Sequence, residues 1–234
     1  MGINQKGAFI LILFLYSTLT SAHTTDIIKI RTIGFTPYGI NTNGKLSGIY
    51  YDIANQIVTG AGYISHNSVA PYARIIREIQ AGKIDMTIMF RYPELEDYVE
   101  YIAPLPSLKI VVIGLIQANF NDISDLNGKK IVYLRGAKFS NKIDNNEGII
   151  KYPIKTFVQG IKMLIAGRAD AIIGPLDPIR NAAVQTQGTT LGKPFIVDQR
   201  TPWLQISNKS SMHFDSNKLK QSFLQLQKQD MLRP

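Results

Sequence analysis

Cysteine is absent from the 234-residue chain, and that removes several classes of protein at once. No disulfide frame, thiolate zinc site, cysteine nucleophile or lipid-bearing cysteine can be built. Histidine is scarce. His23, His66 and His213 stand far apart and in no ligand spacing, so neither a metal nor a redox cofactor is expected. Gly-x-Ser-x-Gly, the phosphate loop and the dinucleotide fingerprint are missing as well. Glu94, Glu96, Asp97 and Glu100 do cluster, but on a polar segment whose simplest account is a solvated helix face. General acid–base work needs a carboxylate in a dry pocket. No catalytic residue is therefore named, and an enzyme is not expected. Acids are outnumbered by bases, 17 to 26, for a net charge of +9. The bases are scattered, densest at Lys129-Lys130 and at Lys218 and Lys220, with no basic stripe interleaved by aromatics. Nucleic acid is not an expected partner.

No segment approaches the 18 continuous apolar residues of a membrane span, and the N-terminus carries an apolar run of another kind. Lys6 precedes the nine apolar residues Ala8 to Tyr16, and Thr20-Ser21-Ala22 offers small residues for cleavage before His23. That core is too short to span a bilayer and reads as a secretory signal, residues 1–22. The expectation is an exported chain, free in the periplasm after cleavage near Ala22, with an uncleaved anchor as the alternative. The remaining length suits one large domain or two lobes of about 100 residues each. An apolar content of 45% can fill a core without disulfides.

What the chain does have is an internal echo. Ile79-Gln-Ala-Gly-Lys-Ile-Asp85-Met-Thr-Ile returns 85 residues later as Leu164-Ile-Ala-Gly-Arg-Ala-Asp170-Ala-Ile-Ile. Ile75, Ile76 and Ile79, and likewise Ile161, Leu164 and Ile165, fall on one helical face. Gly82 and Gly167 stand where a helix ends in a left-handed residue, with Lys83 and Arg168 near its last carbonyls. Asp85 and Asp170 are expected to tie down the turn through their own backbone, and the apolar run after each is expected to be a buried strand. Alone, each copy is an ordinary connector; the pairing points to two similar α/β lobes with a cleft between them.

Around the repeat, strands are expected at 27–33, 86–89, 108–116, 131–134 and 171–173, with extended segments at 153–157, 195–197 and 203–207. Helices are expected at 51–59, 72–81, 159–166, 179–186 and 216–229, with one more beginning near Lys138. The apolar run 108–116 is long enough to cross between lobes. The domain reading is 23–108 for the first part of lobe 1, 109–197 for lobe 2 and 198–234 for a return to lobe 1.

The order of pieces resembles a known family. Ile30 to Gly39, then Gly44-Lys-Leu-Ser-Gly-Ile-Tyr-Tyr-Asp52, then Pro71-Tyr-Ala-Arg74 through Asp85, is similar to the first half of the family 3 extracellular solute-binding proteins. Asp125-Leu-Asn-Gly-Lys-Lys-Ile131, Leu134-Arg-Gly136 and Gly167-Arg-Ala-Asp170 resemble the second half. The resemblance runs from about 26 to 230. It implies an α/β, two-lobed periplasmic-binding-protein-like fold (type II) with two crossing strands, closing on a small solute by hinge motion. It also implies an inner-membrane permease of the ABC type as partner, and a monomer is expected. The chain stops short of the family's last segment, so a truncated or divergent member is expected.

By position, the resemblance assigns Phe35 and Tyr72 to the aromatic pair that holds the ligand. Both also suit a cleft, one in a Gly/Pro loop and one at a helix N-terminus. The place of the usual carboxylate-clamping arginine falls on Asp97, while an arginine stands earlier, at Arg91. The place of the acid that usually takes an α-amino group falls on Pro175, with Asp177 nearest, and Lys138 approaches the expected hydroxyl position. The ligand-binding set is thus Phe35, Tyr72, Arg74, Phe90, Arg91 and Lys138. An anionic or neutral solute with an apolar or aromatic portion is expected, not a cationic amino acid. Pairing of Arg74 with Glu78 and of Arg91 with Glu94 is the alternative. Rival readings are a solute sensor for a membrane partner and a dehydratase using Asp97 or Asp177.

Overall fold

Alternation sets the first strand. In Ile27–Ile33 the residues Ile28 and Ile30 are fully buried while Ile27 and Lys29 face out. The structure is a computed structural model that describes residues 26–212 and 214–232; the signal-segment reading lies outside the described residues. In chain order the elements are β1 (Ile27–Ile33), β2 (Ile40–Thr42), β3 (Lys45–Ser47), α1 (Ile49–Gly60), β4 (Ile64–Ala70), α2 (Tyr72–Gln80), β5 (Met86–Phe90), β6 (Val99–Pro104) and β7 (Leu108–Ile113). They continue as β8 (Lys130–Leu134), α3 (Asn141–Asp144), β9 (Ile150–Ile154), α4 (Phe157–Ile165), β10 (Ala171–Pro175), α5 (Leu176–Gln185), β11 (Phe195–Arg200), β12 (Pro202–Ser207) and α6 (Ser216–Lys228).

Two five-stranded sheets result, in the orders β4-β1-β5-β12-β6 and β11-β7-β10-β8-β9. Each has three parallel neighbours, β4, β1 and β5 in one and β9, β8 and β10 in the other, then one reversed strand, β12 or β7, and a last strand, β6 or β11, antiparallel to it. This is the two-lobed α/β fold. The chain passes from the first sheet to the second between β6 and β7 and returns between β11 and β12. The two passages lie side by side: the Leu105 amide donates to the Pro202 carbonyl at 2.8 Å, and the Ser107 and Thr201 hydroxyls meet at 2.5 Å. The run after Leu108 therefore does not itself cross; β7 ends at Ile113 and pairs within the second sheet on both sides.

The repeat is a structural unit in both lobes. Gly82 and Gly167 have φ of 65° and 64°, left-handed as the helix ends require. The strands that follow, β5 and β10, are buried throughout. The aspartates act differently from the expectation. Asp85 Oδ2 accepts the backbone N–H of Lys29 at 2.8 Å, and Asp170 Oδ2 accepts that of Lys130 at 2.7 Å. Each carboxylate clasps the neighbouring parallel strand near its start instead of its own turn. In each case the aspartate amide donates to the carbonyl of the same lysine at 2.8 Å, so the clasp is reciprocal.

Several elements depart from the sequence reading: β9 lies at Ile150–Ile154 and not at 153–157, with Phe157 opening α4; α5 starts at Leu176 and β11 runs to Arg200. β4 and β6 are strands that were not expected, and both are edges of the first sheet. The helix expected near Lys138 begins only at Asn141. Glycine is required where α1 starts: Gly48 has φ of 123°, and a Cβ there would lie 2.7 Å from the Tyr38 carbonyl oxygen.

Candidate functional site

Parallel strands leave the loops at their carboxyl ends free to form a site, since the helices pack along the faces of the sheet. Here those ends face each other across the cleft. β1 and β5 run into Gly34 and Arg91 on one side, and β8 and β9 run into Arg135 and Lys155 on the other. The lobes meet closely: a Cβ on Gly136 would sit 3.0 Å from that of Ala73.

Near the hinge the lobes are joined by the protein's own side chains. Tyr72 and Tyr92 are buried, 4% and 2% exposed, with rings edge to face at 5.5 Å. The Tyr92 hydroxyl donates to the Tyr72 hydroxyl and accepts the Lys138 amide of the other lobe at 3.3 Å. Burial pushes both phenols well above their ordinary pKa. Arg200, at the end of β11, spans the same seam. Its guanidinium donates to the Arg91 carbonyl at 2.8 Å and to the Lys138 carbonyl at 3.3 Å, and lies 5.2 Å over the Phe90 ring. Glu94 pairs with Lys138 across the lobes, and that lysine holds the Glu94 carboxyl below its usual range.

Two cavities open between the lobes, both bordered by Gly34 and Phe35. One, of about 440 Å³, has uncharged polar walls that include Thr36, Asn41, Thr42, Thr156 and Gln185. The other, of about 330 Å³, combines the apolar Phe35, Tyr72, Leu134 and Ile154 with Arg74, Arg77, Arg135 and Lys155. No carboxylate is among the lining residues of either, and Asp97 and Asp177 border neither.

The six residues named from sequence are distributed as follows. Phe35, Tyr72 and Arg74 come together at the cationic cavity. Phe35 also meets Phe157 of the other lobe edge to face at 5.5 Å. Arg74 pairs with Glu78 at 2.6 Å, and Glu78 also takes Arg31 at 2.8 Å. Burial alone would raise the Glu78 pKa, but the two guanidiniums hold it below its ordinary value. Phe90 is buried under Arg200. Arg91 lies 4.2 Å over the Tyr101 ring and pairs with Glu96 at 3.1 Å, not with Glu94. Lys138 borders a separate 280 Å³ hollow within the second lobe. Residues the sequence reading did not name are Arg77, Arg135, Lys155 and Arg200. Arg135 stood inside the quoted Leu134-Arg-Gly136 motif and Arg77 three residues beyond Arg74; Lys155 and Arg200 carried no signal.

The fold and the cleft are those of two α/β lobes facing each other across their strand ends. No family model matches the chain, and no curated protein matches it in sequence. Solved structures do. An ancestral arginine-binding protein bound to glutamine superposes with a TM-score of 0.76 at 21% identity, covering 90% of this chain and 96% of the other. Holo ArgBP from T. maritima gives 0.73 at 17% identity over 86% and 90%. The GluR0 ligand-binding core from Nostoc punctiforme, in complex with L-glutamate, gives 0.74 at 17% over 88% and 95%. At these identities the likeness establishes the fold.

Proposed function

We propose that the chain is a periplasmic solute-binding protein that captures a small anionic or neutral solute between its lobes for an ABC-type inner-membrane importer. The supporting observation is the cleft itself. Its larger openings are walled from both lobes at the carboxyl ends of parallel strands, and two adjacent chain passages supply a hinge. The lobe limits proposed are the two passages, at 104–108 and 200–202. Solved proteins of the same fold bind arginine, glutamine or glutamate, which supports solute capture in general. A dehydratase is less well supported, because no carboxylate borders the interlobe cavities. Presentation of the solute to a membrane sensor uses the same cleft, and loss of uptake in a deletion strain separates transport from signalling.

The test is capture. Binding to the native state alone stabilises by about 2.7 kcal/mol at a hundredfold excess of ligand over Kd. A thermal-shift screen over a broad metabolite set should find at least one solute that raises Tm by several degrees. Small-angle scattering should show compaction with that solute. Absence of both across the set rejects the proposal.

A further inference from the structure

The 330 Å³ cavity has an unusual electrostatic composition for a pocket that must close. Four cations border it and no carboxylate does. Arg74 is neutralised by Glu78, but Arg77, Arg135 and Lys155 have no ion pair among the described residues. Arg77 comes from the first lobe, Arg135 and Lys155 from the second. Like charges on facing walls oppose closure until an anion lies between them, and then the same charges hold the lobes together.

The other walls are apolar. The Tyr72 hydroxyl is already engaged by Tyr92, so what this residue offers a ligand is chiefly its ring. An adjoining surface hollow is bordered by Arg74, Arg77 and Lys83 together with Glu78, whose carboxylate is already taken by Arg74 and Arg31. We infer that the captured solute is a compact organic dianion, with two carboxylates or a phosphate monoester on an apolar body, bridged between Arg77 on one lobe and Arg135 and Lys155 on the other. This rests on the solute-binding reading and names its substrate class. A cationic ligand finds no acidic partner here, and a zwitterion leaves its ammonium unpaired. The guanidiniums suit paired oxygens of either anion type.

Calorimetry on the purified chain tests this with phthalate, succinate, malate, phenyl phosphate and glycerol 3-phosphate, against benzoate, glutamine and arginine. At least one dianion should bind tenfold or more tightly than benzoate, with affinity falling as salt is raised. The carboxylate and phosphate arms decide between the two sources. The double variant Arg135→Gln/Lys155→Gln, on the exposed cavity wall, should lose at least tenfold in that affinity with an unchanged ligand-free Tm. Lys129→Gln, away from the cavity, should bind as the parent does. Unchanged dianion affinity in the double variant overturns the inference, as does failure of every dianion. Binding of arginine or glutamine alone would refute it while leaving solute capture standing; no stabilisation and no compaction across the broad metabolite set would remove both.

Discussion

Tyr92 shows how one residue can couple two lobes. It follows Arg91 at the end of β5, and its hydroxyl reaches both Tyr72 within its lobe and the Lys138 amide beyond it. Removing the oxygen leaves two groups of a buried seam short of a partner, a loss of about 1–3 kcal/mol. Tyr92→Phe should therefore lower the unfolding free energy by that amount in urea titration, while far-ultraviolet circular dichroism stays unchanged. A stability equal to the parent's would mean that water replaces the hydroxyl and that the seam is not held there. Pairing at this scale was poorly legible in sequence. Arg91 has glutamates at 94 and 96, and which one it takes depends on where Lys138 of the other lobe arrives: Lys138 takes Glu94, and Arg91 takes Glu96. Spacing along the chain could not have separated them, and Arg200 reaches the seam only because β11 ends at the hinge.

Elements were legible in proportion to their burial. The amphipathic helices α2 and α4 carried a helical periodicity, and the short apolar runs after them, now β5 and β10, were legible as buried strands from their length and the Gly-x-x-Asp before them. β4 and β6 were not legible as full strands, and both are edges of the first sheet with one flank unpaired. An edge strand such as Ile64–Ala70, with Ser65, His66, Asn67 and Ser68 in it, has no hydrophobic alternation to read. The two aspartate clasps share a geometry but differ in environment. Asp85 is 3% exposed and also accepts the Ser210 hydroxyl at 2.6 Å, whereas Asp170 is exposed and makes the strand bond alone. Asp85→Ala should then cost about 2–3 kcal/mol and Asp170→Ala about 0.5–1.5 kcal/mol. Equal losses in parallel denaturation curves would show that the clasp acts through the strand pairing alone, independently of burial.

For the whole molecule, the proposed capture of a solute raises the question of what would set the balance between closed and open lobes. Surface pairs contribute little: Glu94 and Lys138 are each about half exposed, at 47% and 51%, and such a pair is worth about 0–1 kcal/mol. Packing at the Ala73–Gly136 approach is stricter, because interiors do not deform continuously. Gly136 has φ of 80°, so a side chain there would add backbone strain as well as bulk and confuse the test. Ala73 sits in the first turn of α2, where a larger residue carries no such strain. Ala73→Leu should wedge the lobes where α2 meets Gly136: the radius of gyration with saturating solute stays at the open value, and affinity falls tenfold or more. The affinity loss alone could come from filling the cavity that Ala73 borders. Scattering carries the decision, since a variant that still compacts on binding would show that closure does not depend on this approach.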